Sequence, residues 1–73
     1  NQQTTMKTNY LVCEIHNNKM LGGTSYSSLD DAISAFSGLV SDYGVEPYEE
    51  MINEKTFESE DGYAVQIVEI LSK

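Results

Sequence analysis

No arginine and no tryptophan occur in this chain, cysteine and proline appear once each, and only four lysines stand against twelve acids. Each shortage excludes something. Affinity for nucleic acid comes largely from Lys and Arg neutralising phosphates, and a formal charge of −8 has the wrong sign for direct binding. The lone Cys13 rules out an intramolecular disulfide, and without Cys/His pairs there is no zinc staple of the usual spacing. No apolar run approaches the roughly 20 residues of a membrane span. Asn1-Gln2-Gln3-Thr4-Thr5 lacks the basic and apolar regions of a secretory signal. These absences lead us to expect a soluble protein of the reducing cytoplasm, with no membrane partner, metal or cofactor.

The 73 residues suffice for one domain. A chain this short buries only about 60% of its unfolded surface, so its stability is expected to be modest unless oligomerisation adds to it. Residues 1–8 read as an N-terminal arm, disordered or left over from a precursor or expression tag, and residues 9–73 as the single domain.

The clearest element runs from Ser28 to Gly44. Ser28 can cap the N–H of Asp31, and Asp30 and Asp31 place negative charge at the positive end of a helix dipole. Leu29, Ala32, Ile33, Phe36, Leu39, Val40 and Tyr43 follow at i, i+3, i+4, i+7 spacing, one apolar stripe that must be buried. Gly44 can take the left-handed conformation that closes a helix, and Pro47 opposes a restart. The opposite side is small and uncharged: Ser34, Ser37, Gly38 and Ser41. A glycine inside a helix costs roughly 1 kcal/mol against alanine, which is easier to understand if something approaches the backbone there. That side is therefore a candidate homodimer contact, with tolerated serine and glycine on a solvated face as the plainer reading.

Tyr10 to His16 is rich in β-formers and reads as a strand; Asn17-Asn18 suits a two-residue hairpin turn, and Lys19 to Tyr26 returns as a second strand with a bulge expected at Gly22-Gly23. After a connection that can hold one helical turn from Pro47, Ile52 to Ser59 reads as a third strand. Asp61-Gly62 gives a hairpin signal, and Tyr63 to Leu71 forms the fourth strand, apolar on both faces. The expected fold is α+β: a two-layer ββαββ domain, four antiparallel strands with one helix packed on one face. A two-residue turn at Asp61-Gly62 sets Phe57 opposite Gln66 and assigns Phe57, Ala64, Val68 and Ile70 to the helix. It leaves Tyr10, Val12, Tyr63, Val65 and Ile67 on the open face with Glu54, Glu58 and Glu69, and it places Glu54 opposite Glu69.

Catalytic constellations are scarce. Cys13 and His16 point to opposite faces of one strand, so thiol and imidazole do not meet. The paired acids lack calcium-loop spacing, and Gly22-Gly23-Thr24-Ser25 lacks the lysine and strand-to-helix context of a phosphate loop. No enzyme is expected. Tyrosine joins apolar area to a polar tip and favours interfaces. The expected function is a small acidic, non-catalytic interaction module that binds a basic protein surface. Its expected site is the sheet face of Tyr10, Val12, Glu54, Glu58, Tyr63, Val65, Ile67 and Glu69, and one form of it is an inhibitor imitating nucleic-acid phosphates. The alternative is a regulatory homo-oligomer that binds a small ligand between protomers near Gly22-Gly23 and His16.

Overall fold

A computed structural model describes residues 7–72, and the first six positions of the expected arm lie outside the described residues. Lys7 and Thr8, assigned to that arm from the sequence, are instead the first residues of a strand. The order is β1 (Lys7–His16), β2 (Lys19–Tyr26), α1 (Leu29–Tyr43), α2 (Glu49–Glu54), β3 (Thr56–Glu58) and β4 (Tyr63–Ser72). The four strands form one antiparallel sheet in the order β2-β1-β4-β3, with α1 packed on one face, as expected for an α+β ββαββ domain. β1 and β4 pair along their whole length, from Lys7 opposite Ser72 to His16 opposite Tyr63.

The local signals of α1 act as written. Ser28 Oγ accepts from the N–H of Asp31 at 3.4 Å. At the other end Gly44 sits at φ 105°, its N–H donating to Ser41 O while the N–H of Val45 donates to Val40 O. This is the Schellman pairing that satisfies the last carbonyls of a helix. Ala32, Phe36 and Val40 are fully buried against Val12, Val65, Ile67, Phe57 and Met51.

The first hairpin also follows its sequence. Asn17 and Asn18 take φ of 51° and 67°, the positive values a tight two-residue turn demands. Ile15 faces Met20, and Glu14 then faces Gly22, so Leu21 is the extra residue of a bulge next to the glycine pair.

The second hairpin does not. Ser59 and Tyr63 close a loop whose three residues are Glu60, Asp61 and Gly62: the N–H of Ser59 donates to Tyr63 O at 2.8 Å, and Gly62 sits at φ 91°. A three-residue loop of this kind is a turn followed by a glycine bulge. It moves the register by one residue, giving Thr56 opposite Gln66, Phe57 opposite Val65 and Glu58 opposite Ala64. Because side chains alternate with period two, a one-residue slip exchanges the faces. Phe57 does face the helix, as expected, but it brings Val65 and Ile67 with it instead of Ala64, Val68 and Ile70. The assignment of Val12, Val65 and Ile67 to an open face is therefore wrong; all three are core, and Tyr10 and Tyr63 pack beside them. The third strand is also shorter than expected, since Ile52, Asn53 and Glu54 belong to α2, which ends at Lys55 in the left-handed region (φ 60°). Its two leading glutamates favour a helix start. Its one buried residue, Met51, ties it to the core. With Glu54 in a helix, the unfavourable pairing of Glu54 with Glu69 does not arise.

The face exchange is measurable. Ile67→Ala should cost about 2–5 kcal/mol in urea unfolding, the usual range for a buried aliphatic cut to alanine. Leu71→Ala, at a site 61% exposed on the same side of β4, should change stability by less than about 1 kcal/mol. Equal small losses at both sites would contradict this register.

Candidate functional site

α1 lies over the central strands β1 and β4 and also touches β2. A groove of about 300 Å³ opens there, lined by Val12 and Glu14 of β1, Thr24 and Tyr26 of β2, and Ala35, Gly38, Leu39 and Asp42 of α1. Alternation puts Val12 and Glu14 on the helix side of β1, while Ala35, Gly38 and Asp42 recur every three or four residues along one flank of α1. The lining therefore combines apolar side chains with two hydroxyls and two carboxylates, and among the described residues it contains no lysine, arginine or histidine. A Cβ built on Gly38 would meet nothing within 4 Å. The fold does not need glycine at this position; its absent side chain leaves the groove wall low.

Glu14 is held from behind. The Tyr63 hydroxyl donates to Glu14 Oε2 at 2.7 Å, and Tyr63 stacks on Tyr43, with ring centroids 4.8 Å apart and planes 5° from parallel. Phe57 meets the Tyr43 ring edge-on at 5.7 Å. This aromatic group pins the end of α1 to the β3–β4 hairpin, with about 0.5–1.5 kcal/mol expected per pair beyond area burial. Burial first, and then the hydrogen bond to Glu14 with the negative charges of Glu14 and Asp42, push the Tyr63 phenol up to about 12. Asp61, at the hairpin tip, accepts from the hydroxyls of Ser59 and Tyr43, which hold its carboxyl below the usual range.

The residues singled out from the sequence are dispersed. Tyr10 is half-buried beside the core, Glu69 lies opposite it at the far end of the ladder, Glu54 is on α2, and Glu58 projects from β3 onto the side away from α1. They do not form one surface. On α1, Ser34, Gly38 and Ser41 are exposed and Ser37 is half-buried, and of these four only Gly38 lines the groove. Cys13 faces away from α1 and His16 towards it; burial pushes the Cys13 thiol up, away from its reactive thiolate form. Gly22 and Gly23 serve the β2 bulge. Glu14 and Asp42 were missed from the sequence, although Asp42 follows Gly38 by one helical turn and Glu14 is the only charge in the apolar centre of β1.

A larger depression of about 550 Å³ lies on α2, where the described lining residues are Tyr48, Glu49, Glu50 and Asn53. Among the described residues, no group of three or more His, Cys, Asp or Glu is placed to hold a metal ion, and no helix is long and apolar enough to cross a membrane. No protein family, curated protein or solved structure matches this chain.

The Tyr63–Glu14 contact predicts an alkaline transition. The folded chain keeps this phenol neutral up to about 12, whereas the unfolded chain ionises it near 10. Its contribution to stability is therefore complete below pH 10 and is lost as pH rises through about 12. Phenolate absorbance should show one tyrosine titrating last, and Tyr63→Phe should abolish that final step. If the last step survives in Tyr63→Phe, this geometry is incorrect.

Proposed function

We propose that this chain is a non-catalytic interaction module for a basic protein surface, and that the groove beside α1 receives a lysine or arginine side chain of the partner. One observation carries this reading: Glu14 and Asp42 line a groove whose other described residues are apolar or hydroxyl-bearing, with no cation among the described lining residues. Leu39, Val12 and Ala35 suit the methylene stem of such a side chain, and the carboxylates suit its head. The walls of a groove lower the effective dielectric, so a charge pair there is stronger than one on a flat surface. Tyr63 fixes Glu14 in advance, which reduces the ordering cost on binding.

The rest of the exterior steers in the same direction. Eight of the twelve acids fall between Asp42 and Asp61, all exposed, with Lys55 the only base among them. A surface of this sign accelerates encounter with a basic partner. A nucleic-acid-binding protein is one such partner, in which case the exposed acids would occupy the place of phosphates. The reading as an inhibitor rests on that special case.

The test uses a fluorescent lysine-containing peptide with apolar residues flanking the lysine, followed by anisotropy. Raising salt from about 0.05 M to about 0.5 M should weaken binding by about tenfold or more, because charge pairs at this depth remain partly screened. Glu14→Gln and Asp42→Asn should each weaken it by about fivefold or more at low salt. Glu60→Gln, which removes the same charge from the hairpin tip, should change it by less than about twofold. Equal losses in all three variants would reduce the effect to net charge and sink the groove as the site. Gly38→Leu adds a second arm: replacing a helix-interior glycine should raise stability by about 1 kcal/mol while filling the groove and abolishing binding.

A further inference from the structure

We propose that two copies of this chain stack face to face through the side of the sheet that α1 leaves open. Leu11, Ile15, Ala64, Val68 and Ile70 project from the central strands on that side, with Met20 beside Ile15 on β2. Val68 and Ile70 remain 42% and 41% exposed, and Met20 61%. Asn9, Gln66, Ser25 and Thr56 share this side, so its apolar residues are interrupted by uncharged polar ones; an exposed, largely apolar sheet face of this kind marks a contact.

Charge identifies the occupant. In a chain of formal charge −8, the strand residues facing this side carry two charges, Glu58 and Lys7. A basic partner finds no field of acids here. A second copy, which elsewhere would be repelled, can approach without setting carboxylate against carboxylate. The two charges also lie at opposite ends of the sheet: Lys7 faces Ser72 at one end of the ladder, and Glu58 faces Ala64 near the other. A two-fold axis between the sheets and perpendicular to the strands reverses one copy end for end, bringing Lys7 of each towards the Glu58 end of its partner. Such an isologous contact closes on itself as a dimer.

The area is sufficient. With β1 and β4 ten residues long, β2 eight and β3 three, a rise of about 3.3 Å per residue and a strand spacing of about 4.8 Å give on the order of 500 Å² of sheet per copy. The pair buries on the order of 1,000 Å², where specific interfaces begin. Leu11 and Val68 face each other near the middle of the β1–β4 ladder, so this axis places Val68 of one copy close to Val68 of the other. The groove beside α1 lies on the outer side of each sheet and stays open in the dimer.

Sedimentation equilibrium of the full chain should give twice the 8.1 kDa chain mass. V68E and V68K should each raise the dimer dissociation constant by about tenfold or more, since each sets like charges against one another across the axis. Both variants should keep the wild-type circular dichroism, because position 68 is already part-exposed. Mixing V68E with V68K should restore the dimer, which a folding defect would not allow. S41E, on the outer flank of α1, should leave it intact. A wild-type chain that stays monomeric at high concentration overturns the proposal. So does a dimer broken by S41E and untouched by V68E, or a mixture of the two charged variants that fails to pair.

Discussion

The apolar side of the β1–β4 ladder must be covered, and α1 is the only long helix among the described residues to cover it. Val12, Val65 and Ile67 line that side, and Ala32, Phe36 and Val40 descend onto them. The remaining elements of the domain follow from this closure. α1 needs its full length to reach from Tyr26 to Tyr63, and so it needs both caps: Ser28 at the start and the Gly44 pairing at the end. The short α2 supplies Met51, and β3 supplies Phe57, to seal the flank that α1 does not reach. A single helical layer closes one face and leaves the other to solvent or to a partner.

What the sequence disclosed depended on how local each determinant was. Ser28, the stripe through Phe36 and Gly44 act within one helix, and Asn17-Asn18 within one turn, so both elements and the first hairpin's bulge were legible. The second hairpin turned on one residue. Asp61-Gly62 resembles a two-residue turn, but the pairing of Ser59 with Tyr63 makes Gly62 the third residue of its loop. Period-two alternation then converts this local difference into a global one, because it decides which face of β4 meets the helix. Phe57 pointed towards the core in both accounts, and it was the company it kept that changed. α2 was legible in part: a helical turn from Pro47 was expected, but six residues with a single buried side chain leave no periodicity to show that it continues to Glu54, and Ile52 to Glu54 were read as strand instead.

The groove was illegible for another reason. Its lining comes from β1, β2 and α1, three elements whose relative positions depend on the strand order and the covered face. Gly38 was noticed as a costly helix residue, and the structure shows where that cost falls. The face exchange also rearranges the electrostatics. Had Val65 and Ile67 faced outward, the acidic and the apolar surfaces would have been one. They are separate: the carboxylates gather on the helix side and at the β3–β4 tip, and the open sheet side is almost free of charge. The two proposed contacts, a second copy on the open sheet side and a cation in the groove, therefore use different faces and would not oppose each other.

Gly38 is the residue at which folding and binding can be told apart. Folding alone would favour alanine there, because a Cβ meets no neighbour and a helix-interior glycine is less favourable by about 1 kcal/mol. Ala35, one turn earlier on the same flank, shows that a methyl group is compatible with this side of α1. What distinguishes position 38 is that it lines the groove together with Leu39 and Asp42 of α1 and Glu14 and Thr24 of the sheet, so a long side chain there would project towards the groove. Packing therefore gives no reason for glycine at this position, and its consequence in the structure is a low groove wall.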